Sequence, residues 1–324
     1  MDDKNKNHVM TEAGLVPLSR CSDGLFESGR NGVRSIGATA DGKVEFVEFD
    51  HQTIAYVRSS MGYPAYYPLR SVQIEKPVKA VLMDLDGTSV RSEAFWIWII
   101  QLSTASLLGD PKFELEDCDL PQVSGHSVSE HLQYCIRKYC PDRTVEEARQ
   151  YYFEHTEREM QAILEGRGRG DAFAPTPGLK EFLLELKSRD IRIGLVTSGL
   201  YQKAWPEIVS AFRTLDLGDP RDFYDAIITA GHAIRKGEVG TLGELSPKPH
   251  PWLYAECARV GLGIDFKDRH HVVGIEDSGA GVCSILLAGF APIGFAGGNI
   301  IESRCQGLCK HYCHRFADVL ALLA

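Results

Sequence analysis

The sequence predicts a doubly wound, Rossmann-like α/β fold with a helical insert and an N-terminal extension, and three observations lead there. Short apolar runs alternate with amphipathic stretches through the second half of the chain. The first such run, Val78-Lys79-Ala80-Val81-Leu82-Met83, ends in a pair of aspartates. A block without strand signals, residues 90–175, then separates this run from the next. Strands alternating with helices imply a parallel sheet covered on both faces.

Taken in order, residues 1–76 form the extension. Its first thirty residues are polar and rich in Gly and Ser, which predicts loop or disorder. VEFVEF (44–49) and TIAYVR (53–58) favour strand and are separated by a short polar turn, so a β-hairpin is expected there. The core comprises residues 77–89 and 176–324. Its strands are expected at 78–84, IRIGLV (191–196), AIIT (226–229), HVVGI (271–275) and APIGF (291–295). The insert, 90–175, carries helical patterns over 93–107 and 127–166; Val128, His131, Leu132 and Cys135 share one helical face. Pro and Gly in APTPG (174–178) mark the return to the core.

Composition narrows the function classes. A length of 324 residues suggests about two domains. The chain is 44% hydrophobic and 24% charged, the balance of an ordinary packed protein. A net charge of −9 argues against sequence-independent nucleic-acid binding and against attachment to an anionic membrane. No apolar run is long enough to span a bilayer, and MDDKNKNHVM lacks the apolar core of a signal peptide. Nine cysteines, an odd number, are then expected as reduced thiols in a cytoplasmic protein, monomeric or homodimeric.

Open α/β sheets bind ligands at the carboxyl ends of their strands, so the chemistry should lie there. The first strand ends in Asp84-Leu85-Asp86-Gly87-Thr88. Carboxylates at i and i+2 on an extended chain point the same way. One can attack phosphorus and carry a covalent phosphoryl group, and the other can pass a proton to the leaving oxygen. The next strand ends in Thr197-Ser198-Gly199, where hydroxyls and backbone N–H groups leading into a helix can hold phosphate oxygens; alone, an ordinary helix cap fits these residues as well. Lys248, flanked by prolines in SPKPHP, offers an ammonium for a phosphoryl oxygen or for the nucleophilic carboxylate. Glu276 and Asp277, in HVVGIEDSGAG, close the set. Four acids converging without a cation would repel one another, and Mg²⁺ takes carboxylate oxygens.

DLDGT, LVTSG, KPHP and GIEDSGAGV, in this order over residues 77–324, resemble the four motifs of the haloacid dehalogenase-like (HAD) hydrolases. The resemblance is closest to the β-phosphoglucomutase and sugar-phosphate phosphatase branch, whose helical cap follows the first motif. It implies Asp84 as nucleophile, Asp86 as general acid/base, and Thr197 and Lys248 as grips on the phosphoryl group. Asp84, Asp86, Glu276 and Asp277 would hold Mg²⁺. Thr88, Ser198 and Gly199 would contact substrate, together with Gly125 and His126 from the cap loop 122–127. The implied activity is hydrolysis of a small phosphorylated metabolite, such as a sugar phosphate. A phosphomutase and, in another class, a non-catalytic phospho-ligand-binding protein are the alternatives. Ser89 and Arg91 depart from the usual motif and are expected at the cap hinge, away from the chemistry. Cys305, Cys309 and Cys313-His314 do not have the spacing of a structural zinc site. A dinucleotide-binding oxidoreductase is disfavoured because no strand leads into GxGxxG.

Overall fold

The computed structural model describes residues 13–58, 63–123, 128–231 and 245–324. Gly125, His126 and residues 232–244 lie outside the described residues; the last make up most of GHAIRKGEVGTLGELSP (231–247), whose length between Thr197 and Lys248 suggests an insertion. The chain divides into two compact units. One comprises Met1–Ser89, Thr176–Ala204 and Leu217–Ala324, the other Val90–Pro175 with Trp205–Asp216.

The first unit holds two sheets. The main one has six strands, all pairing in parallel. They are β6 (Ala80–Asp84), β9 (Arg192–Val196), β10 (Ala226–Ile228), β11 (Val272–Glu276), β12 (Ala291–Phe295) and β13 (His311–Cys313), in the order β10-β9-β6-β11-β12-β13. The apolar runs of β6, β11 and β12 are buried at every position, as expected for strands covered on both faces. Register fixes the site. Asp84, last in β6, pairs with Val196, last in β9, while Ile275 of the neighbouring β11 pairs with Met83. The residues following three adjacent strands therefore emerge side by side at one sheet edge.

The extension is more ordered than its composition predicts. Beyond the expected hairpin, β3 (Val44–Phe49) and β4 (Thr53–Val57), it forms an antiparallel meander with β1 (Val16–Leu18), β2 (Val33–Ala38) and β5 (Ala65–Leu69), in the order β1-β2-β3-β4-β5. Alternation along β3 explains why both faces are buried. Val44 and Phe46 pack into a cluster with Val282 and Leu286 of helix α8 (Gly279–Leu287), Ile300, Cys305 and Leu308. Val47 on the other face packs with Cys21, Val33 and Ile36, with Phe26 and Phe49 against them. The sheet thus shares a core with a helix that covers the main sheet. Phe46→Ala is expected to destabilise the protein by about 3–5 kcal/mol in chemical denaturation, because the ring is fully buried.

The second unit is built on α1 (Glu93–Leu108), α2 (Val128–Tyr139) and α3 (Val145–Leu164), with the short antiparallel ribbon β7 (Val90–Arg91) and β8 (Ala174–Pro175), which the sequence did not signal. Residues 205–216, the end of a helix counted with the core in the sequence, group with this unit. The Arg213 guanidinium donates to the carbonyls of Ile163 and Leu164 at the end of α3. Arg167 and Arg169 pair with Glu165 and Asp171, and Arg169 also lies over the Trp98 ring. Glu116, Cys118 and Asp119 form an acidic cluster with ligand spacing, yet the Lys138 ammonium occupies it, 2.8 Å from Glu116 and 2.6 Å from Asp119. Burial alone would raise the Asp119 pKa; hydrogen bonds from Lys138, Tyr134 and Tyr139 overcome it and hold the carboxyl well below the usual range.

All nine cysteines are free thiols. No helix among the described residues is long and apolar enough to cross a membrane.

Candidate active site

Each functional side chain stands just past a strand of the main sheet or on the loop that approaches it. Asp84 ends β6 and is buried. The chain then turns through Gly87, whose φ of +81° favours glycine. A Cβ here would lie 1.9 Å from the Asp277 carboxylate, so the glycine of DLDGT is also required by close approach. Gly281 serves Glu276 in the same way, since its Cβ would fall 1.8 Å from that carboxyl group.

Lys248 is the hub. Its ammonium bonds Asp84 Oδ1 and, at 2.6 Å, Glu276 Oε1, and its side chain is buried with both. Tyr254 donates to the same Glu276 oxygen at 3.1 Å and presents its ring to the ammonium at 5.1 Å. Glu276 Oε2 accepts both the N–H and the hydroxyl of Ser278 at 2.9 Å, and Ser278 in turn caps α8 by accepting from the Gly281 N–H. Glu276 is therefore hydrogen-bonded on both oxygens. Asp277, its neighbour, is not tied in this way, and its carboxylate faces Gly87 and Gly298.

The electrostatics are unbalanced. Burial, and then the Glu276 charge, push the Asp84 carboxyl well above the ordinary range, with Lys248 pulling the other way. The same two causes push Asp277 up to about 8. Asp86 lies near enough to add to both shifts. Burial disfavours the Lys248 charge, but Asp84 and Glu276 outweigh it and hold its pKa above that of an ordinary lysine. One ammonium thus faces four carboxyl groups, an excess of negative charge that a divalent cation would correct. Asp84, Glu276 and Asp277 each bring a carboxylate oxygen within 4.8 Å of the others. All are hard oxygen donors, so the residues present fit Mg²⁺.

The remaining predicted residues divide. Thr197 is buried, and its Oγ1 accepts the Gly199 N–H at 2.9 Å, so that N–H, expected on a phosphate oxygen, closes the turn instead. Ser198 Oγ accepts the Lys248 backbone N–H at 3.1 Å and retains its own proton to donate. Thr88, expected on substrate, is fully buried, and its hydroxyl finds no partner among the described residues. Gly125 and His126 lie outside the described residues. Ser89 ends the first unit, at the expected hinge, and its buried hydroxyl donates to the Asp84 backbone carbonyl at 2.6 Å. Tyr254 was missed altogether. An aromatic in an amphipathic stretch reads as core, and only its contact with Glu276 shows otherwise.

A family model described as haloacid dehalogenase-like hydrolase matches residues 78–289, and the chain belongs to that family. No curated protein compared matches it by sequence. Among solved structures it is similar to a β-phosphoglucomutase candidate from Thermotoga maritima, at 20% identity and a TM-score of 0.53, covering 76% of this chain and 100% of that one. It is also similar to a protein predicted to be a phosphoglycolate phosphatase from Haemophilus somnus, at 19% identity and a TM-score of 0.53, covering 77% and 99%. CbbY from Rhodobacter sphaeroides in complex with phosphate aligns at 20% identity and a TM-score of 0.50, covering 75% and 96%. At these identities the likeness is one of fold.

Proposed function

We propose that the protein is a Mg²⁺-dependent phosphatase of a small phosphorylated metabolite, a sugar phosphate in the first instance, working through an aspartyl-phosphate on Asp84. The observation that carries this reading is the Lys248 ammonium held between Asp84 and Glu276, with Asp277 and Asp86 close by. Asp84 attacks phosphorus; the new O–P bond forms as the ester O–P bond breaks. Asp86 gives its proton to the departing alkoxide. It then takes one from a water that attacks the aspartyl-phosphate, releasing inorganic phosphate and regenerating the Asp84 carboxylate. Lys248 meets the charge on the phosphoryl oxygens and steers Asp84 through their hydrogen bond. Asp84, Asp86 through its backbone carbonyl, Glu276 and Asp277 are the residues to hold Mg²⁺, and Glu276 also fixes Lys248 and the turn behind them. When bound, the ion offsets the negative charge of nucleophile and phosphoryl group.

The test is turnover of p-nitrophenyl phosphate. Activity is expected with Mg²⁺, is lost in EDTA, and returns when Mg²⁺ is restored. Unchanged hydrolysis in EDTA overturns the metal requirement, and none under any condition overturns the phosphatase reading. A phosphomutase passes the phosphoryl group to a sugar hydroxyl instead of water. A panel that includes β-glucose 1-phosphate with its bisphosphate separates the two by product.

A further inference from the structure

The segment carrying Lys248 poses a structural problem. Pro247, Pro249 and Pro251 alternate through it, so half of its backbone positions have no N–H to donate. The ammonium must nevertheless be held between two buried carboxylates. The segment is therefore tied from outside itself. Ser198 Oγ takes the Lys248 N–H at 3.1 Å, and Ser284 Oγ donates to the His250 carbonyl at 2.6 Å. The third tie comes from the extension. The Tyr67 hydroxyl, on β5, hydrogen-bonds His250 Nδ1 at 2.8 Å across 183 residues of chain. The Tyr67 ring also stands edge-on to the His250 ring at 5.8 Å and to the Trp252 ring at 6.1 Å. His250 is almost wholly buried, and its Nε2 has no partner among the described residues. The bond from Tyr67 is therefore the only one described that fixes the orientation of this ring.

We propose that Tyr67 is a positioning residue for Lys248: the N-terminal sheet, through the Tyr67–His250 hydrogen bond, sets the Pro-Lys-Pro-His-Pro segment so that the ammonium lies between Asp84 and Glu276. The proposal rests on the phosphatase reading for its activity readout, and carries a second readout that does not need it. Displacing a catalytic group by 1 Å costs about a hundredfold in rate, so loss of one of three ties, with a smaller displacement, is expected to cost about tenfold.

The experiment uses the full chain with p-nitrophenyl phosphate and Mg²⁺, together with amide hydrogen exchange over residues 245–256. Tyr67→Phe keeps the ring and removes the hydroxyl. It is expected to lower kcat about tenfold with KM within about twofold, and to speed exchange in 245–256 while the remaining strands of the sheet stay protected. His250→Ala has a similar effect, and the double variant costs little more than Tyr67→Phe, which removes the His250 tie together with the hydrogen bond between the Tyr67 oxygen and Trp252. His250→Asn, which places a polar atom near the Nδ1 position, recovers most of the rate. Tyr66→Phe is the control: its hydroxyl bonds Asp23 from the adjacent position of the strand, and its kcat stays at the wild-type value. Wild-type kcat and exchange in Tyr67→Phe overturn the proposal. So does a fall in kcat that comes with faster exchange throughout the sheet, which would mark a merely structural role. If the wild-type protein hydrolyses nothing, the phosphatase reading fails by itself, and the exchange in 245–256 still decides whether Tyr67 orders the lysine segment.

Discussion

Asp84→Asn is expected to lower p-nitrophenyl phosphate turnover by at least about a thousandfold, because an amide of the same shape cannot form the O–P bond. A loss of this size would prove little if the protein also unfolded, and the site's electrostatics bear on that point. The Asp84 carboxyl is pushed upward by burial and by Glu276, so the metal-free fold stabilises its neutral form relative to the unfolded chain. Asparagine mimics that form, keeps an oxygen for the Lys248 ammonium and removes one negative charge from a crowd of four. In EDTA the variant should therefore melt no lower than the wild-type protein, and above it at alkaline pH. Lost activity with retained or raised melting temperature assigns Asp84 to the chemistry. Ordinary turnover in Asp84→Asn would refute the covalent step.

The site was legible in the sequence because the strands of a parallel sheet are short apolar runs whose ends can be read directly. The runs at 78–84, 191–196 and 271–275 put Asp84, Thr197 and Glu276 at strand ends, where the structure also has them. The second tier of contacts could not be read in this way. Tyr254, Ser89 and Tyr67 act through partners that no local pattern announces, and Tyr67 meets His250 only because two sheets share a core. The extension was half legible for a related reason. The run VEFVEF declares itself, whereas β2 contains Gly37, whose Cβ would crowd Leu15, and β5 contains Pro68. Both residues depress a strand signal, yet the first is needed for close packing and the second is tolerated because β5 lies at the sheet edge.

Raising pH from about 4 to about 8 in EDTA is expected to weaken the fold through this site, and Mg²⁺ to reverse the loss. The sign follows from Asp277. Its folded pKa is pushed up to about 8, against about 3.9 in an unfolded chain. Between those values the native state keeps a proton that the unfolded state has released, so its contribution to stability falls as pH rises. Asp84 is shifted in the same direction and adds to the slope. His250 opposes it, since burial lowers its pKa and the folded protein gains as pH rises toward the unfolded histidine value near 6.5. Asp277→Asn isolates the carboxylate part: it removes one titrating acid from the site and leaves His250 untouched, so the downward trend in melting temperature should flatten or turn upward. A cation at about 100 times its dissociation constant stabilises by about 2.7 kcal/mol, several degrees for a protein of this size. That gain should be largest at pH 8, where protons no longer compete for the ligands, and small in Asp277→Asn. A melting temperature equally indifferent to Mg²⁺ in both proteins at pH 8 would mean that the buried acids are balanced by Lys248 alone, and that Asp277 is a structural carboxyl group rather than a metal ligand.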